Sequence, residues 1–532
     1  MKKIYPFFFA VFLMIPMLSG AQQMQWLNST PVNYSFNPET PQQPACQSGN
    51  KIYAARLVDF GISYGSDIFG SMAIDCYDTA GSLLWTFPMG QKLCVRNITA
   101  DASGNVFVAG IFMETLHLNS TDSLLNTGTG FDTNVYLFSL DNTGSLRWKR
   151  NMALSHADGF NISCLAIDPQ DNCWYGLEYF DSTTITKLDT SGNDLQSHLI
   201  TGTRTLGSFS FDPSGNIYLA GSAGFPTLTI NGFSVTVNEP YMKFISRISA
   251  TGNVSWIQLV HDVTFLSPQI VATVNGDAFV SDHLLDSAVF GNVIFHFPQW
   301  VFDIYLTKVD SAGNFSWGVQ VPQTPNITGD FTRGKNNFLA TDAAGNVYLT
   351  GTVRGSVDWG NGVITDAGVV TNYGNSIISF DGAGVPRWQI TGTATGYMTP
   401  YSLCVSGPDE CYFSSAAVGT TTFGSLTTNQ GGNFAFLLGK ISSGTSAGVN
   451  ELSSGETPAV FPNPANDLLT INKGVTDGNA MAIYNALGEK MCDVSSPANG
   501  KLPVGLDVSK FPPGIYFLQT KNAGTRFIVQ HD

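Results

Sequence analysis

The sequence predicts an all-β protein, a seven-bladed β-propeller followed by a small C-terminal antiparallel β-sandwich. Two short phrases, each centred on a turn, alternate along most of the chain. The composition agrees with strands and turns, because aromatic residues form 12% of the chain, charged residues form 12%, and 55 glycines are present. No long helical periodicity accompanies this composition, which is typical of an ordered protein built from strands.

The first phrase is clearest from Leu339 to Gly351, which reads LATDAAGNVYLTG. Alternating apolar runs flank an Asp-x-x-Gly turn, in which Asp accepts backbone N–H bonds and Gly adopts the left-handed conformation. The phrase therefore predicts two strands joined by a short hairpin loop. Aligned copies, about 60 residues apart on average, have their turn residue at Gly49, Gly104, Asp171, Gly215, Gly276, Gly345 and Asp409.

The second phrase reads IYLTKVDSAGNFSW from Ile304 to Trp317 and contains the same turn. Its final Trp recurs four residues after the turn Gly in most copies, at positions 85, 148, 256, 317 and 388. The third copy has Gln196 there, and the seventh stops at its turn. A fixed place on one strand of each repeat favours packing between blades over a row of sugar-stacking platforms.

Each period thus contains four strands, and their apolar faces can be covered only by neighbouring repeats. Radial closure into a propeller over residues 22–441 satisfies this need. A linear β-solenoid is the competing architecture, although its coils are usually shorter. Segments between the phrases, such as His117–Asn134 and Thr352–Asn375, are expected to be loops in which binding specificity lies.

The seventh repeat lacks its Trp-bearing strand, because the chain runs from there into a linker. The segment MQWLNS, Met24 to Ser29, has no repeat partners of its own. We therefore predict that residues 24–30 pair with the strand around Phe434–Ile441 and place Trp26 where the other repeats have their Trp. This pairing would cover an exposed sheet edge.

The ends of the chain have a different character. Residues 1–21 have the basic start, apolar run and small final residues of a signal peptide. No other apolar stretch approaches membrane length. Residues 442–458 form a Ser/Gly-rich linker. Residues 459–532 contain short alternating strands and turns, enough for the small sandwich.

This last segment resembles the type A sorting domain of type IX secretion substrates in the Bacteroidota. The residues that support the resemblance are Phe461, Pro462, Asn463, Pro464, Gly488, Gly514 and Tyr516. The resemblance implies export through the periplasm, the type IX secretion machinery as a partner, and a secreted or cell-surface product. The chain ends Gln530-His531-Asp532, whereas the family commonly ends in a basic run. The repeats themselves resemble bacterial propeller repeats of the D-x-x-G-N-x-Y-x-x-G type, few of which have an assigned activity.

Eight cysteines suit an oxidising compartment. Cys164 and Cys173 flank one turn of the first phrase, and Cys404 and Cys411 flank another, so each pair is predicted to form a cross-strand disulfide. No Cys-x-x-Cys motif pairs with another or with His, and the seven His are scattered. Neither a metal site nor a cofactor is therefore predicted.

The net charge and the scattered acidic residues limit the functions that the sequence allows. A net charge of −15 argues against nucleic acid as a partner, since phosphate binding needs clustered Lys and Arg. No convergent catalytic set is visible, and no catalytic residue can be named. The leading interpretation is an exported binding protein with a glycan or protein ligand. The alternatives are a polysaccharide hydrolase or lyase that uses channel-facing Asp or Glu, and a structural surface protein.

Overall fold

A computed structural model of the chain describes residues 22–35, 43–64, 67–126, 128, 132–152, 161–179, 182–224, 226–240, 242–261, 267–284, 287–296, 303–322, 329–368, 373–443, 459–473, 481–485, 490–494, 504–519 and 524–531. The described elements are strands and turns without a helix, which confirms the all-β prediction. The described residues accordingly contain no apolar helix of membrane-spanning length. The chain divides into two compact parts, residues 1–444 and 445–532. The predicted signal peptide and most of the predicted linker lie outside the described residues.

In the first part, the strands pair in consecutive antiparallel groups of four, here called units 1 to 7. The chain opens with β1 (Gln22–Ser35). Unit 1 comprises β2 (Ala45–Ser48), β3 (Lys51–Tyr64), β4 (Asp67–Asp78) and β5 (Leu83–Pro88). Unit 2 comprises β6 (Leu93–Ala100), β7 (Val106–Phe112), an inserted hairpin of β8 (Thr115–His117) and β9 (Ser123–Leu125), then β10 (Asn134–Leu140) and β11 (Leu146–Met152).

Unit 3 comprises β12 (Asn161–Ile167), β13 (Cys173–Glu178), β14 (Ser182–Leu188) and β15 (Asp194–Thr201). Unit 4 comprises β16 (Thr203–Phe211), β17 (Ile217–Ala223), the hairpin of β18 (Thr227–Ile230) and β19 (Phe233–Thr236), then β20 (Met242–Ile248) and β21 (Val254–His261). Unit 5 comprises β22 (Gln269–Ala272), β23 (Ala278–Leu284), the hairpin of β24 (Ala288–Phe290) and β25 (Val293–Phe295), then β26 (Asp303–Val309) and β27 (Phe315–Gln320).

Unit 6 has its first strand in two pieces, β28 (Asp330–Arg333) and β29 (Leu339–Thr341), followed by β30 (Val347–Arg354), the hairpin of β31 (Ser356–Asp358) and β32 (Ile364–Asp366), then β33 (Gly374–Phe380) and β34 (Pro386–Ala394). Unit 7 comprises β35 (Met398–Gly407), β36 (Glu410–Phe423), β37 (Leu426–Ser443) and, as its fourth strand, β1.

Both repeated turns adopt the predicted conformation. The seven aligned residues of the first phrase have φ between 55° and 81°, including the non-glycine Asp171 and Asp409. The glycines of the second phrase have φ between 83° and 91°. In the turn that begins at Asp342, the Asp carboxylate accepts the backbone N–H groups of Ala344 and Asn346 at 2.9 Å. Local turn chemistry thus fixes where each strand ends.

The repeated Trp side chains pack between units, as predicted. In each such contact, the indole of one unit lies against the turn glycine of the next, as Trp256 does on Gly313. The Trp256 indole N–H also donates to the Ser311 carbonyl at 3.0 Å. Equivalent indole-to-glycine contacts join Trp26 to Gly81, Trp85 to Gly144, Trp148 to Gly192 and Trp317 to Gly384.

The turn glycines allow this packing to be tested with a matched pair of substitutions. A Cβ added at Gly313 would lie 2.9 Å from Cδ2 of Trp256, whereas one added at Gly276 has its nearest neighbour at 3.7 Å. Both positions have positive φ, so both alanines carry a similar backbone cost. We expect Gly313→Ala to lower the free energy of unfolding by about 1–3 kcal/mol more than Gly276→Ala, because only the alanine at position 313 would crowd a neighbouring side chain, the Trp256 indole. Urea unfolding measures the difference, and equal losses would contradict the packing role.

The predicted pairing of the N-terminal segment is confirmed. Strand β1 runs antiparallel to β37, with Met24 opposite Ile441, Leu27 opposite Gly439 and Thr30 opposite Phe436. The Trp26 indole donates to the Thr79 carbonyl at 3.0 Å, and its ring lies 6.1 Å from that of Tyr412. The two ends of this part of the chain therefore complete one sheet.

The first strand of each unit contacts the first strand of the next. The contacts follow the order β2, β6, β12, β16, β22, β29 and β35, and β35 contacts β2. Buried aromatic and aliphatic side chains fill the space between successive units, and Tyr53, Tyr136, Tyr218, Tyr305, Tyr348, Tyr401 and Tyr412 are among the largest. The order of contacts thus returns to its starting strand.

The segments between the phrases differ from the expected loops. His117–Asn134 contains β9, and Thr352–Asn375 contains the β31–β32 hairpin. In units 2, 4, 5 and 6, such a hairpin follows the second strand. These hairpins lack the Asp-x-x-Gly turn, so the repeated phrases did not reveal them.

The second part of the chain is described by itself. Its strands are β38 (Ala459–Phe461), β39 (Leu468–Lys473), β40 (Met481–Asn485), β41 (Lys490–Val494), β42 (Val504–Asp507), β43 (Gly514–Gln519) and β44 (Gly524–Val529). They form a three-stranded sheet in the order β38-β39-β42 and a four-stranded sheet in the order β41-β40-β43-β44. Apolar side chains from both sheets, among them Leu469, Ile471, Ile483, Leu518 and Phe527, form one core.

Candidate binding site

The first strands of several units carry a bulge at equivalent positions of the repeat. The register shifts around Arg96 in unit 2, Ser163 in unit 3, Gly207 in unit 4 and Tyr401 in unit 7. A β-bulge leaves one residue unpaired and turns its side chain away from the regular alternation. Three of these residues, Arg96, Ser163 and Gly207, line one cavity.

Unit 6 has a longer insertion at this level. Residues 334–338 lie opposite Thr350 alone, because Arg333 pairs with Gly351 and Leu339 pairs with Leu349. The N–H of Gly334 donates to the Thr350 carbonyl at 3.0 Å, and the N–H of Thr350 donates to the Phe338 carbonyl at 2.9 Å. The five residues therefore leave the sheet together without breaking the ladder on either side.

This insertion is held by three other units. The N–H of Asn336 donates to the Tyr401 carbonyl of unit 7 at 2.9 Å, and its side-chain amide donates to the Arg96 carbonyl of unit 2 at 3.3 Å. From unit 5, the Gln269 amide donates to the Asn336 carbonyl at 2.5 Å and accepts the N–H of Phe338 at 2.9 Å. The insertion is thus anchored to the first strands of units 2, 5 and 7.

The bulges and the insertion enclose a polar cavity of about 210 Å³, here called the inner cavity. Its lining comes from five units and consists of Arg96, Asn97, Asn161–Cys164, Glu178, Thr205–Gly207, Ser267, Gln269, Arg333 and Lys335–Asn337. A second cavity of about 310 Å³ shares Cys164, Gln269 and Asn337 with it and adds apolar side chains such as Leu165 and Phe209. Amide and hydroxyl groups predominate in the inner cavity, with a few charges among them.

The charged groups at the inner cavity have fixed partners. Burial raises the pKa of Glu178, although the Leu206 N–H at 2.5 Å and the Asn161 amide at 3.3 Å stabilise its ionised form. The guanidinium of Arg96 bonds to Asp67 at 2.6 Å. Glu178 is the one carboxylate among the described residues that line this cavity.

Behind the cavity wall, Asp282 joins units 4, 5 and 6. Its carboxylate lies 3.1 Å from Lys243 and 3.0 Å from Arg333, and both Lys243 and Asp282 are fully buried. Burial opposes ionisation of Asp282, but the two cations outweigh it and lower the pKa. Burial lowers the pKa of the neighbouring His283 to about 3. The neutral His283 ring accepts the backbone N–H of Arg333 at 2.7 Å. These groups hold Arg333 in place at the cavity.

Among the described residues, three buried polar atoms of residues in the lining have no hydrogen-bond partner: Nε of Arg96, Oδ1 of Asn161 and Oγ1 of Thr205. They are a donor, an acceptor and a hydroxyl that can serve as either. Buried polar atoms are ordinarily hydrogen-bonded, so each such atom calls for a partner. The side chains that line the inner cavity, mostly amides and hydroxyls, can both donate and accept hydrogen bonds.

The predicted disulfides are corrected by the structure, in which all eight cysteines are free thiols. Cys173 pairs with Ile167 while Cys164 pairs with Gly176, and Cys411 pairs with Val405 while Cys404 pairs with Tyr412. Each pair is offset by an odd number of residues, so its side chains point to opposite faces of the sheet. Burial raises the pKa of Cys164 and of Cys404 to about 12.

The described sorting residues lie in two places in the second part of the chain, at the end of β38 and on β43. Phe461, Pro462, Asn463 and Pro464 are exposed, and both prolines follow cis peptide bonds. The Asn463 side chain accepts the N–H of Ile528 at 2.8 Å, which ties this segment to β44. Gly514 begins β43, and Tyr516 is buried against Phe527 with ring centroids 5.7 Å apart. Gly488 lies outside the described residues.

Sequence reasoning missed the inner cavity, although two signals were present. Aligning the repeats leaves residues 334–338 as an insertion in the sixth copy. The second strand has Gly at positions 110, 221 and 351, where the fifth copy has Asp282 instead. The insertion contributes residues to the cavity lining, and Asp282 contacts the lining residue Arg333 from behind.

Comparison with known proteins identifies the tail of the chain. Residues 459–530 match the family of secretion system C-terminal sorting domains. This match confirms the resemblance to the type IX sorting domain. The protein is therefore secreted to the cell surface or the extracellular space through the periplasm, and its tail interacts with the type IX secretion machinery.

Among curated proteins, none matches this chain in sequence. Of solved structures, virginiamycin B lyase from Staphylococcus aureus is 9% identical with a TM-score of 0.37, covering 78% of this chain and 99% of the lyase. A puromycin hydrolase is 11% identical with a TM-score of 0.37, covering 84% of this chain and 62% of the hydrolase. A Bacteroides caccae protein of unknown function is 11% identical with a TM-score of 0.32, covering 66% of this chain and 93% of the Bacteroides protein. These TM-scores are too low to support an inference about function.

Proposed function

We propose that this protein is an exported binding protein of the Bacteroidota, a closed seven-bladed β-propeller whose inner cavity binds a saccharide. Closure is supported by the contacts of successive innermost strands, which return from β35 to β2, and by the completion of unit 7 with β1. The inner cavity would then lie at one end of the central channel. The signal peptide at residues 1–21 and the sorting tail account for the route.

The observation that carries the ligand class is the polar lining of the inner cavity, in which amide and hydroxyl side chains such as those of Asn161, Ser163 and Gln269 predominate. Sugar hydroxyl groups donate and accept hydrogen bonds at the same atom, which satisfies such a mixed set. A carboxylate would satisfy only the donors, and an apolar ligand would satisfy none. The amides of Asn97 and Asn337 add further groups of the same kind.

Binding of the full chain to a panel of neutral and acidic polysaccharides tests this proposal. We expect Asn161→Ala to weaken binding of the retained saccharide about tenfold, as expected for the loss of one or two hydrogen bonds. The matched control is Asn253→Ala, because Asn253 lies in an exposed turn of unit 4 away from the inner cavity. Isothermal titration calorimetry of the three proteins measures the affinities.

Three results would contradict the proposal. Release of shortened or unsaturated sugars would favour the hydrolase or lyase alternative. Failure to bind any saccharide would favour a structural surface protein. Equal weakening by Asn161→Ala and Asn253→Ala would place the ligand elsewhere on the molecule.

A further inference from the structure

The charged side chains that line the inner cavity are mostly cationic. Arg96, Arg333 and Lys335 belong to the lining, and Glu178 is the single carboxylate among its described residues. The whole chain has the opposite balance, with 40 Asp and Glu against 25 Lys and Arg. The inner cavity is therefore a local concentration of positive charge in an acidic protein.

The counter-ions of the two arginines lie behind the lining. The Asp67 carboxylate is 2.6 Å from Nη2 of Arg96, and the Asp282 carboxylate is 3.0 Å from Nε of Arg333. Neither aspartate lines the inner cavity. Asp282 is fully buried, whereas the Arg333 side chain is 17% exposed. Arg333 is thus held from behind and still presents part of its side chain to the cavity.

The guanidinium of Arg333 is also fixed in orientation. Its Cζ lies 5.3 Å from the centroid of the buried Phe338 ring, in the insertion of unit 6. Because Nε bonds to Asp282, the two amino groups form the end of the planar guanidinium that can bind both oxygens of another carboxylate. A guanidinium that is already held in place loses little conformational freedom on binding.

The remaining charged groups of the lining favour an anion as well. The backbone N–H of Lys335 donates to the Pro400 carbonyl at 3.1 Å, which fixes the backbone of this exposed lysine at the cavity. Burial raises the pKa of Glu178, and therefore disfavours the negative charge that would repel an anion. The Glu178 oxygens are also engaged by the Leu206 N–H at 2.5 Å and the Asn161 amide at 3.3 Å.

We propose that the saccharide bound in the inner cavity is acidic, and that Arg333 binds the carboxylate of a uronic acid residue while Lys335 adds electrostatic attraction. This inference rests on the proposed function and adds the chemical class of the sugar. The amide and hydroxyl side chains of the lining bind the hydroxyl groups of the same sugar residue. The positive lining also concentrates anionic chains near the cavity, which the net charge of the protein would otherwise repel.

Calorimetric titration of the full chain with pairs of uronate oligosaccharides tests this inference. The probes are oligomers of galacturonate, glucuronate and mannuronate, each beside its methyl ester, which keeps every hydroxyl group but has no charge. We expect a free acid to bind at least about tenfold more tightly than its ester, because a charge-assisted hydrogen bond is lost in the ester. The affinity for the acid should also fall as the salt concentration rises.

A lysine substitution gives a second comparison. We expect Lys335→Gln to weaken binding of the acid about threefold and to leave binding of the ester unchanged, because only the acid is attracted by the ammonium group. Lys335 is exposed, so the substitution should leave the fold intact. The matched control is Lys149→Gln, since Lys149 is partly exposed on β11 and does not line the inner cavity.

The outcomes separate this inference from the proposed function. Equal affinity for each acid and its ester, or retention of neutral polysaccharides alone, would overturn the acidic ligand and leave saccharide binding in place. Equal effects of Lys335→Gln on acid and ester would remove the electrostatic role of Lys335. Binding of no saccharide at all would overturn the proposed function and this inference with it. The comparison of acid with ester uses the parent alone, so it does not depend on the folding of a variant.

Discussion

Deleting residues 22–30 is expected to lower the free energy of unfolding by on the order of 5 kcal/mol and to promote aggregation. The deletion removes most of the fourth strand of unit 7 and leaves β37 as an open edge that can pair with other chains. It also removes the packing of Met24, Trp26 and Leu27, each worth about 1.5–3 kcal/mol when fully buried. Residual burial in the unfolded chain makes the total an upper value.

Urea unfolding and light scattering of the truncated and parent proteins measure this effect. Gln25→Ala is a suitable control, because Gln25 is exposed on the same strand and its side-chain amide donates to the nearby Gln23 carbonyl. We expect the control to match the parent within about 0.5 kcal/mol. A truncated protein as stable and as monomeric as the parent would contradict the role of β1.

Replacing Asp282 by Ala is expected to destabilise the protein by about 3–5 kcal/mol. The substitution removes the carboxylate that lies 3.1 Å from the fully buried Lys243 and 3.0 Å from Arg333. Removing a nearby counter-charge from a buried charge costs far more than the intact ion pair stabilises. Units 4, 5 and 6 meet at this group, so the loss should appear in the unfolding of the whole first part of the chain.

The double variant Lys243→Met and Asp282→Leu separates this explanation from simple damage to the core. It removes both buried charges while keeping apolar volume, and we expect it to recover most of the stability that Asp282→Ala loses. Urea unfolding at neutral pH gives the comparison. If the double variant is no more stable than Asp282→Ala, the lost pairing of the buried charges is not the cause of the destabilisation.

The repeated part of the fold was predictable because its determinants are local. Each turn is specified by a carboxylate and a glycine a few residues apart, and the structure places Gly104, Asp171 and their counterparts in the predicted conformation. The strand that completes the seventh repeat was also predictable. The segment MQWLNS belonged to no repeat, and the seventh repeat lacked its fourth strand. The all-β class follows from these observations together.

The disulfide prediction failed because spacing along the chain does not determine which face of a sheet a side chain occupies. Cys404 and Cys411 flank a turn, but the register places Cys404 opposite Tyr412 and Cys411 one position away. A shift of one residue reverses the direction of a side chain. The register of a strand pair depends on bulges, such as the one at Tyr401, which cannot be located from the sequence.

The inner cavity could not be predicted for a related reason. Its lining joins Arg96, Asn161, Thr205, Gln269 and Asn336, which come from different repeats and share no motif or spacing. Bulges decide which of these side chains leave the regular alternation. The insertion at residues 334–338 and the Asp282 behind the cavity were visible only as departures from the repeat.

Hydrogen exchange of the full chain, with and without a saccharide retained from the panel, tests the central claim most directly, because it maps the ligand without any substitution. We expect slower exchange in the peptides that cover residues 93–100, 161–167, 203–211 and 330–341, which carry the bulges and the insertion around the inner cavity. Unchanged exchange in all four segments, with protection confined to the Asp-x-x-Gly turns or to residues 459–530, would contradict the assignment of the inner cavity as the binding site.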